Sequence, residues 1–389
     1  MQQTMQEVLP SPPTRTAGPA EFTVSKKDLL RELSELQKVV QRSSTVPILA
    51  NVLIQATGNV LALTATDLDL SLRTTCAARV KNEGVLTAPA HKLYEYVRLL
   101  ADGEITIRML ENHWLQIKSG RSHTRMVGMA PDSFPKLPLF PSDSALKLDS
   151  HGMRSLIART IFAVSTEDSR YVLNGALMIL NPEGVTMVAT DGHRLAYAEW
   201  SKPQPIQPSK AMIGKKGLLE LGSLLNTNSV EHIQFAQNDS TLFFAVGSRL
   251  LTSRQITGTF PNYAAVLPTG NSDAVVLSRD ELLIAIQRVS QFSDERSNCV
   301  RIRLEQNQFK ISSSSQEAGE SEDVLQSSYA GEPRVIAFNS QYLLDFLRAV
   351  DSSNVRFEFK DGQLACELKP EDSPTKECTY RCVVMPLGR

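Results

Sequence analysis

Three amphipathic segments recur along this chain at a constant interval, and that interval limits the possible folds more than any other feature. TAPAHKLYEYVRLL sets Leu93, Tyr96, Val97 and Leu100 at i, i+3, i+4 and i+7. MIGKKGLLELGSLL sets Leu218, Leu221, Gly222 and Leu225 there, 125 residues on (218 − 93), and FNSQYLLDFLRAV sets Leu343, Phe346, Leu347 and Val350 after a further 125 (343 − 218). Such spacing is the apolar stripe of a helix, and its fixed period marks a copied supersecondary unit.

A second helix opens each copy. SKKDLLRELSEL carries Leu29, Leu33 and Leu36; DSHGMRSLIARTI carries Met153, Leu156, Ile157 and Ile161; SRDELLIAIQRV carries Leu282, Ala285, Ile286 and Val289. Capping residues precede them: Ser25 with Asp28, then Asp149 or Ser150, then Ser278 with Glu281, the last pair being a capping box. Alternating runs follow: LALTATDLDLSL, VTMVATDGHRLAYAEW and FKISSSSQ occupy equivalent places, and each copy ends in paired strands, EITIRMLENHWLQIKSG, HIQFAQNDSTLFFAVGS and VRFEFKDGQLACEL. These are half-buried antiparallel patterns. SFPKLP (133–138) and TFPNYAAVLP (259–268) carry prolines suited to linkers or edges. The expected fold is α+β: an extension at 1–20, then three tandem copies of one fold at 21–143, 144–270 and 271–389. Two helices per copy are too few to cover both faces of so much sheet, so their polar faces look into a shared space. A plain tandem array without a ring fits the periodicity equally.

With 41 Lys and Arg against 42 Asp and Glu, the net charge is −1. That excludes coating nucleic acid by overall basicity, but not a basic inner surface. Five scattered cysteines show neither a disulfide framework nor zinc spacing, which fits a reducing cytoplasm. No run reaches the ~18 apolar residues of a membrane helix, and MQQTMQEVLPSPPTRTAGPA reads as a tail outside the fold rather than a secretory signal. Asp67, Asp191, His193 and Asp294 are the groups an enzyme reading would use, yet no nucleotide-binding, nucleophile-elbow or metalloprotease motif is present. Asp67 and Asp191 hold equivalent repeat positions and the third copy has Ser there, which indicates a shared turn. No cofactor or metal is expected. The remaining alternative is a scaffold that binds proteins and never DNA.

SRYVLNG and ATDGHRLA in the middle copy and YRCVVMPLGR at the end, with FTVSKKDLL, VPILANVLI, LTATDLDLSL, SGRS, FPNY and VLP, resemble the beta sliding clamps of the bacterial replicative DNA polymerase over residues 21–389. The resemblance implies three copies of the DNA clamp fold and a head-to-tail dimeric ring around duplex DNA, helices inside and sheets outside, conferring processivity without catalysis. It implies dimer edges at Arg121, Ser122, His123, Thr124 and Arg125 on one side, and Phe292 with Glu317, Glu320, Glu322 and Asp323 on the other; Thr124 stands where relatives carry an aromatic. It implies a peptide pocket of Leu173, Thr190, Gly192, His193, Arg194, Leu195, Pro261, Val266, Tyr342, Val383, Met385, Pro386 and Leu387, an apolar cleft with His193, Arg194 and Tyr342 as polar rim contacts. Ala265 stands where relatives have Arg, and Leu387 where they have Met. For DNA it implies Arg170 and Tyr171, while Arg42, Lys215 and Lys216 are candidates from the polar helix faces and nearby loops. The helix faces add Lys26, Lys27, Arg31, Lys38, Lys92, Arg98, Arg154, Arg159, Arg279, Arg288 and Arg348, tempered by Glu32, Glu35 and Glu95. The implied partners are the polymerase catalytic subunit, an ATP-driven loader, and repair and ligation proteins, all in the cytoplasm.

Overall fold

A computed structural model describes residues 19–388, except 42–44, 204–205, 272, 361–363 and 373–376. The first copy runs β1 (Glu21–Ser25), α1 (Lys26–Val39), β2 (Asn51–Thr57), β3 (Val60–Thr66), β4 (Leu70–Ala77), β5 (Arg79–Asn82), β6 (Gly84–Pro89), α2 (Ala90–Leu99), β7 (Glu104–Met109), β8 (Trp114–Ser119) and β9 (Ser122–Val127). The second runs β10 (Leu146–Asp149), α3 (Ser150–Thr160), β11 (Gly175–Asn181), β12 (Gly184–Thr190), β13 (Arg194–Trp200), β14 (Ser209–Gly214), α4 (Lys215–Thr227), β15 (His232–Gln237), β16 (Thr241–Val246) and β17 (Arg249–Arg254). The third runs β18 (Asp273–Ser278), α5 (Arg279–Ser290), β19 (Cys299–Glu305), β20 (Gln308–Ser315), β21 (Gly319–Gln326), β22 (Arg334–Asn339), α6 (Ser340–Ala349), β23 (Asn354–Phe359), β24 (Cys366–Pro370) and β25 (Cys378–Val384).

Apart from the short β5, each copy is one strand, one helix and three strands, performed twice. The chain is therefore six half-repeats, a finer period than the helices alone reveal. All three helical stripes lie where the spacing predicts, with Leu93 and Val97 of α2, Leu218, Leu221 and Leu225 of α4, and Leu343, Phe346 and Leu347 of α6 buried. The caps divide. Ser278 accepts from the Glu281 amide at 3.4 Å, as a capping box requires, whereas Ser25 makes no side-chain cap. Glu32 and Glu35, expected on a solvated face, are buried. Glu32 accepts from Arg249 Nε and Nη2 at 2.9 and 3.1 Å and from Thr74 Oγ1 at 2.6 Å, so its charge is matched inside the fold.

Strand pairing ignores the copies. One sheet runs β10-β15-β16-β17-β4-β3-β2-β6 and another β14-β11-β12-β13-β25-β24-β23-β18. Each joins four strands of one copy to four of the next, through the antiparallel pairs β4–β17 and β13–β25. The other sheets are β5-β1-β7-β8-β9 and β21-β20-β19-β22, ending at β9 and β21. Two compact units result: residues 1–150 with 219–255, and 151–218 with 256–389. They follow the sheets because hydrogen-bonded strands share more surface than successive copies do.

Candidate peptide cleft and DNA-facing groups

In the second unit, strand alternation sets Leu195, Tyr197 and Glu199 on one face of β13. Trp200, on the opposite face, packs its ring against His151 of α3 at 5.3 Å. Leu195 lies directly across from Val383 of β25 and Thr190 of β12. Val188, Leu195 and Val383 form a buried floor, covered in part by Phe260, Tyr263, Leu267, Tyr197 and Ala365. Beside it Leu177, Ile179 and Met212 pack against Val172, Ile256, Phe260 and Tyr263. Two apolar clusters thus share Phe260 and Tyr263, while Val266 and Met385 remain exposed at 44% and 40%. An apolar cluster with exposed Val and Met beside it suits apolar side chains of a partner peptide.

The ATDGHRLA segment is a tight turn. Asp191 Oδ1 accepts from the amides of His193 and Arg194, both at 3.0 Å, and Thr190 Oγ1 donates to Arg194 O at 2.7 Å and accepts from the Gly192 amide at 3.1 Å. The first copy repeats the pattern: Asp67 Oδ1 accepts from the amides of Asp69 and Leu70 at 3.1 and 2.7 Å, and Thr66 Oγ1 bonds Leu70 O and the Leu68 amide, both at 3.0 Å. The aspartates are turn formers, as their equivalent positions indicated.

Arg194 departs from the expected role. Its Nε meets Asp191 at 3.0 Å, Nη1 meets Asp345 at 2.7 Å and Nη2 donates to Phe162 O at 2.6 Å. Its guanidinium also lies 4.5 Å from the Tyr342 ring centre and 5.1 Å from that of Phe162. Rather than a rim contact awaiting a ligand, it is a filled keystone that fixes Tyr342 and α6 against the turn. The rigid guanidinium fork suits that task. His193 stacks on Tyr342, ring centres 6.3 Å apart and planes 18° apart. Burial, reinforced by the Asp191 carboxylate, raises the Tyr342 phenol above its ordinary range. The last residues close the wall: the Met385 amide donates to His193 O at 2.9 Å and the Leu387 amide to Ala337 O at 2.8 Å. Of the thirteen residues named from sequence, Leu173, Leu195 and Val383 are buried and Gly192, His193, Pro261, Val266 and Met385 exposed; Thr190, Arg194, Tyr342, Pro386 and Leu387 are intermediate. Phe260 and Tyr263 were missed, although the FPNY stretch contains both. Tyr197, with its ring 6.1 Å from that of Tyr263, carried no motif signal.

Arg170 and Tyr171 are exposed on the 168–173 segment. Arg170 Nη1 donates to Asp191 O at 3.4 Å and Nε lies 3.6 Å from Glu167. A Cβ on Gly192, at φ +90°, would come within 2.7 Å of Arg170 Nη1, so the glycine admits this side chain. Lys215 reaches Val164 O at 3.5 Å, just before that segment; Lys216 is also engaged. Arg42 lies outside the described residues. Among the helix-face cations Arg159 is buried and bonded to Asp351 at 3.1 Å, so it is unavailable to DNA. Lys26, Arg31, Lys38, Arg98, Arg279, Arg288 and Arg348 each pair with a nearby acid.

On the first unit Arg121, His123 and Arg125 are exposed along the β8–β9 turn and β9, with Ser122 and Thr124 half-buried between them. On the second unit Glu320 and Glu322 are exposed on β21, whereas Asp323 turns inward to Arg288 at 2.8 Å; Phe292 is half-buried just after α5. No helix among the described residues is long and apolar enough to cross a membrane, and no acid, His or Cys cluster among them could hold a metal.

Three consecutive matches span the chain: residues 20–138, 147–262 and 264–387 fit the N-terminal, central and C-terminal domains of the DNA polymerase III beta subunit. The beta sliding clamp of Caulobacter vibrioides is 34% identical over 346 residues, covering 87% of this chain and 93% of that protein. That of Escherichia coli is 32% identical over 368 residues, covering 94% and 99%. Crystal structures agree. A sliding clamp from Pseudomonas aeruginosa bound to griselimycin superposes with a TM-score of 0.88 at 32% identity, covering 96% of this chain and 100% of that one. One from Bartonella birtlesii gives 0.89 at 31%, covering 95% and 100%.

Proposed function

Because the chain belongs to the DNA polymerase III beta subunit family, non-catalytic sliding clamps that confer processivity, we propose that two copies close head to tail into a ring around duplex DNA. One observation carries this reading: the strand-pairing rule leaves one pair of edges unused. Within the chain, the last strand of a first half-repeat pairs with the last strand of the next copy's second half, as β4 does with β17 and β13 with β25. By that rule β21 requires the strand type that β9 supplies. In one chain each ends its own sheet. Two chains satisfy both edges twice, and a heterologous contact that closes makes a ring.

The rule also fixes a register. Aligning Ser314 with Thr66 and Thr190 keeps Phe309, Ile311 and Ser313 on the core side. Ser71↔Thr252 and Leu195↔Val383 then correspond to Glu320↔Arg125, with Glu322↔His123 two residues along. Acid meets base in both pairs. Thr124 and Phe292 flank this edge.

The domains of the ring are the three copies at 21–143, 144–270 and 271–389. Arg42, Arg170, Tyr171, Lys215 and Lys216 touch phosphates without reading sequence, so retention weakens with salt. The cleft takes short apolar motifs from the polymerase catalytic subunit, an ATP-driven loader, and repair and ligation proteins, in the cytoplasm. Light scattering across a dilution series tests the ring: a species near twice 42.9 kDa is expected, and a strict monomer at micromolar concentration rejects it. Arg125→Glu breaks the dimer, and Glu320→Arg in the same chain restores it.

A further inference from the structure

The sheet face carrying β7, β8 and β9 holds a depression that the cleft does not use and that shares only Arg125 with the edge pairing. Arg108, Met109, Leu110, Glu111, Trp114 and Arg125 line about 820 Å³ of open space. The chain has two tryptophans. Trp200 is buried, whereas Trp114 is 41% exposed. An exposed indole beside two guanidinium groups is unusual surface, because apolar rings favour burial.

The backbone that presents this ring is strained. Asn112 and His113 sit at φ 54° and 62°, two successive left-handed residues without a glycine. Such strain costs free energy and clusters at functional positions. The turn is held by the Leu110 amide donating to Trp114 O at 2.6 Å and the Gly128 amide to His113 O at 3.0 Å. Strand register sets Arg108, Gln116 and Arg125 in one row and Thr106, Lys118 and His123 in the next. Arg108 has only a distant acid, Glu21 at 3.8 Å. Among the described residues Lys118, His123 and Arg125 form no ion pair.

We propose that this face binds single-stranded DNA, with a base stacked on Trp114 and a flanking phosphate on Arg108. An aromatic platform between cations is the chemistry that holds single strands without reading sequence. A duplex offers the same phosphates but hides its base faces, so it leaves the indole unused. An acidic polypeptide engages the cations but not the ring. Residues 1–18 precede Pro19 at the rim of the depression, yet they carry one acid, Glu7, and one base, Arg15, and so do not match its charge. Trp114 lies on β8, one strand in from the β9 edge, which leaves Arg125 to the edge pairing.

Trp114 reports its own occupancy. Full-length protein is titrated at low salt with oligothymidylate of about 12 nucleotides, within the span of a single-strand site, and indole fluorescence is read. Quenching by the single strand, and little by blunt duplex of equal length, is expected. By anisotropy of a labelled strand, Trp114→Ala weakens binding about tenfold, and Arg108→Gln about threefold with a shallower salt dependence. Retention on circular duplex is unchanged in both. Equal quenching by duplex or by polyglutamate, or full affinity in Trp114→Ala, overturns the proposal. If Trp114→Ala fails to fold, wild-type quenching and Arg108→Gln decide it.

Discussion

The β4–β17 and β13–β25 junctions are built to one plan, and the proposed peptide cleft lies at the second. In the second, the floor is Leu195 and Val383; in the first, the corresponding residues are Ser71 and Thr252, also buried. His193 and Met385 give way to Asp69 and Arg254, whose side chains pair at 3.3 Å beside the Arg254 amide's 2.7 Å bond to Asp69 O. Arg194 gives way to Leu70, and Tyr342, by position in its helix, to Gly217. Beneath the sheet the polarity reverses. The first junction buries the Glu32–Arg249 pair, where the second has Leu156 and Tyr380. One backbone plan therefore carries either a polar, ion-paired joint or an apolar one, and a few side chains decide which.

The largest effect comes from breaking the buried pair. Glu32→Leu strands the Arg249 guanidinium and costs roughly 3–5 kcal/mol, read by denaturant unfolding of the first unit. Glu32→Leu with Arg249→Tyr, the second junction's pair, recovers most of that loss. Burial alone would raise the Glu32 carboxyl, but hydrogen bonds from Arg249, Thr74 and Arg31 outweigh it and hold the carboxyl below its ordinary range. A depressed folded-state pKa stabilises above the unfolded value and is lost as pH falls through the folded one. The advantage of wild type over Glu32→Gln is thus full near neutrality and shrinks as the solution is acidified below the ordinary carboxylate range. A gap that stays constant down to strong acid contradicts this.

Next is the cleft floor. Leu195→Ser with Val383→Thr installs the first junction's residues and loosens the buried packing beneath Phe260 and Tyr263. Binding of the polymerase catalytic subunit falls roughly 100-fold by surface plasmon resonance, with dimer mass unchanged. Undiminished binding places the partner elsewhere. Arg194→Leu, copying Leu70, leaves Asp345 with only the longer Arg348 contact at 3.5 Å and frees Tyr342. It costs roughly 2 kcal/mol of stability and weakens partner binding through the loosened wall.

How much of this was legible in sequence follows from the range of each interaction. The helical stripes and the Thr-Asp turns are local, so spacing and residue type sufficed to place them. The cross-copy sheets were not legible, because β4 and β17 lie far apart in the chain and nothing in either names its neighbour. Glu32 read as a solvated acid, since its helical position does not disclose an arginine arriving from β17. Arg194 read as a free contact for the same reason: its partners Phe162 and Asp345 come from two other elements. Tyr263 stood inside a recognised stretch and was passed over because its neighbour Pro261 carried the match.

The smallest effect tests the turn that both junctions share. Gly192 sits at φ +90° and its counterpart Leu68 at φ +82°. That conformation suits glycine and strains a branched side chain. Leu68 is 61% exposed, so its side chain contributes little burial to offset the strain. Leu68→Gly therefore stabilises the first unit by about 1 kcal/mol even though glycine gains entropy in the unfolded chain, seen as a small rise in melting temperature. The reciprocal Gly192→Ala destabilises, because alanine must adopt the strained φ of +90°, while the exposed end of Arg170 can swing clear of the added Cβ. Should Leu68→Gly lower the melting temperature, the Leu68 side chain must make contacts worth more than its strain, and the two turns would differ in more than their glycine.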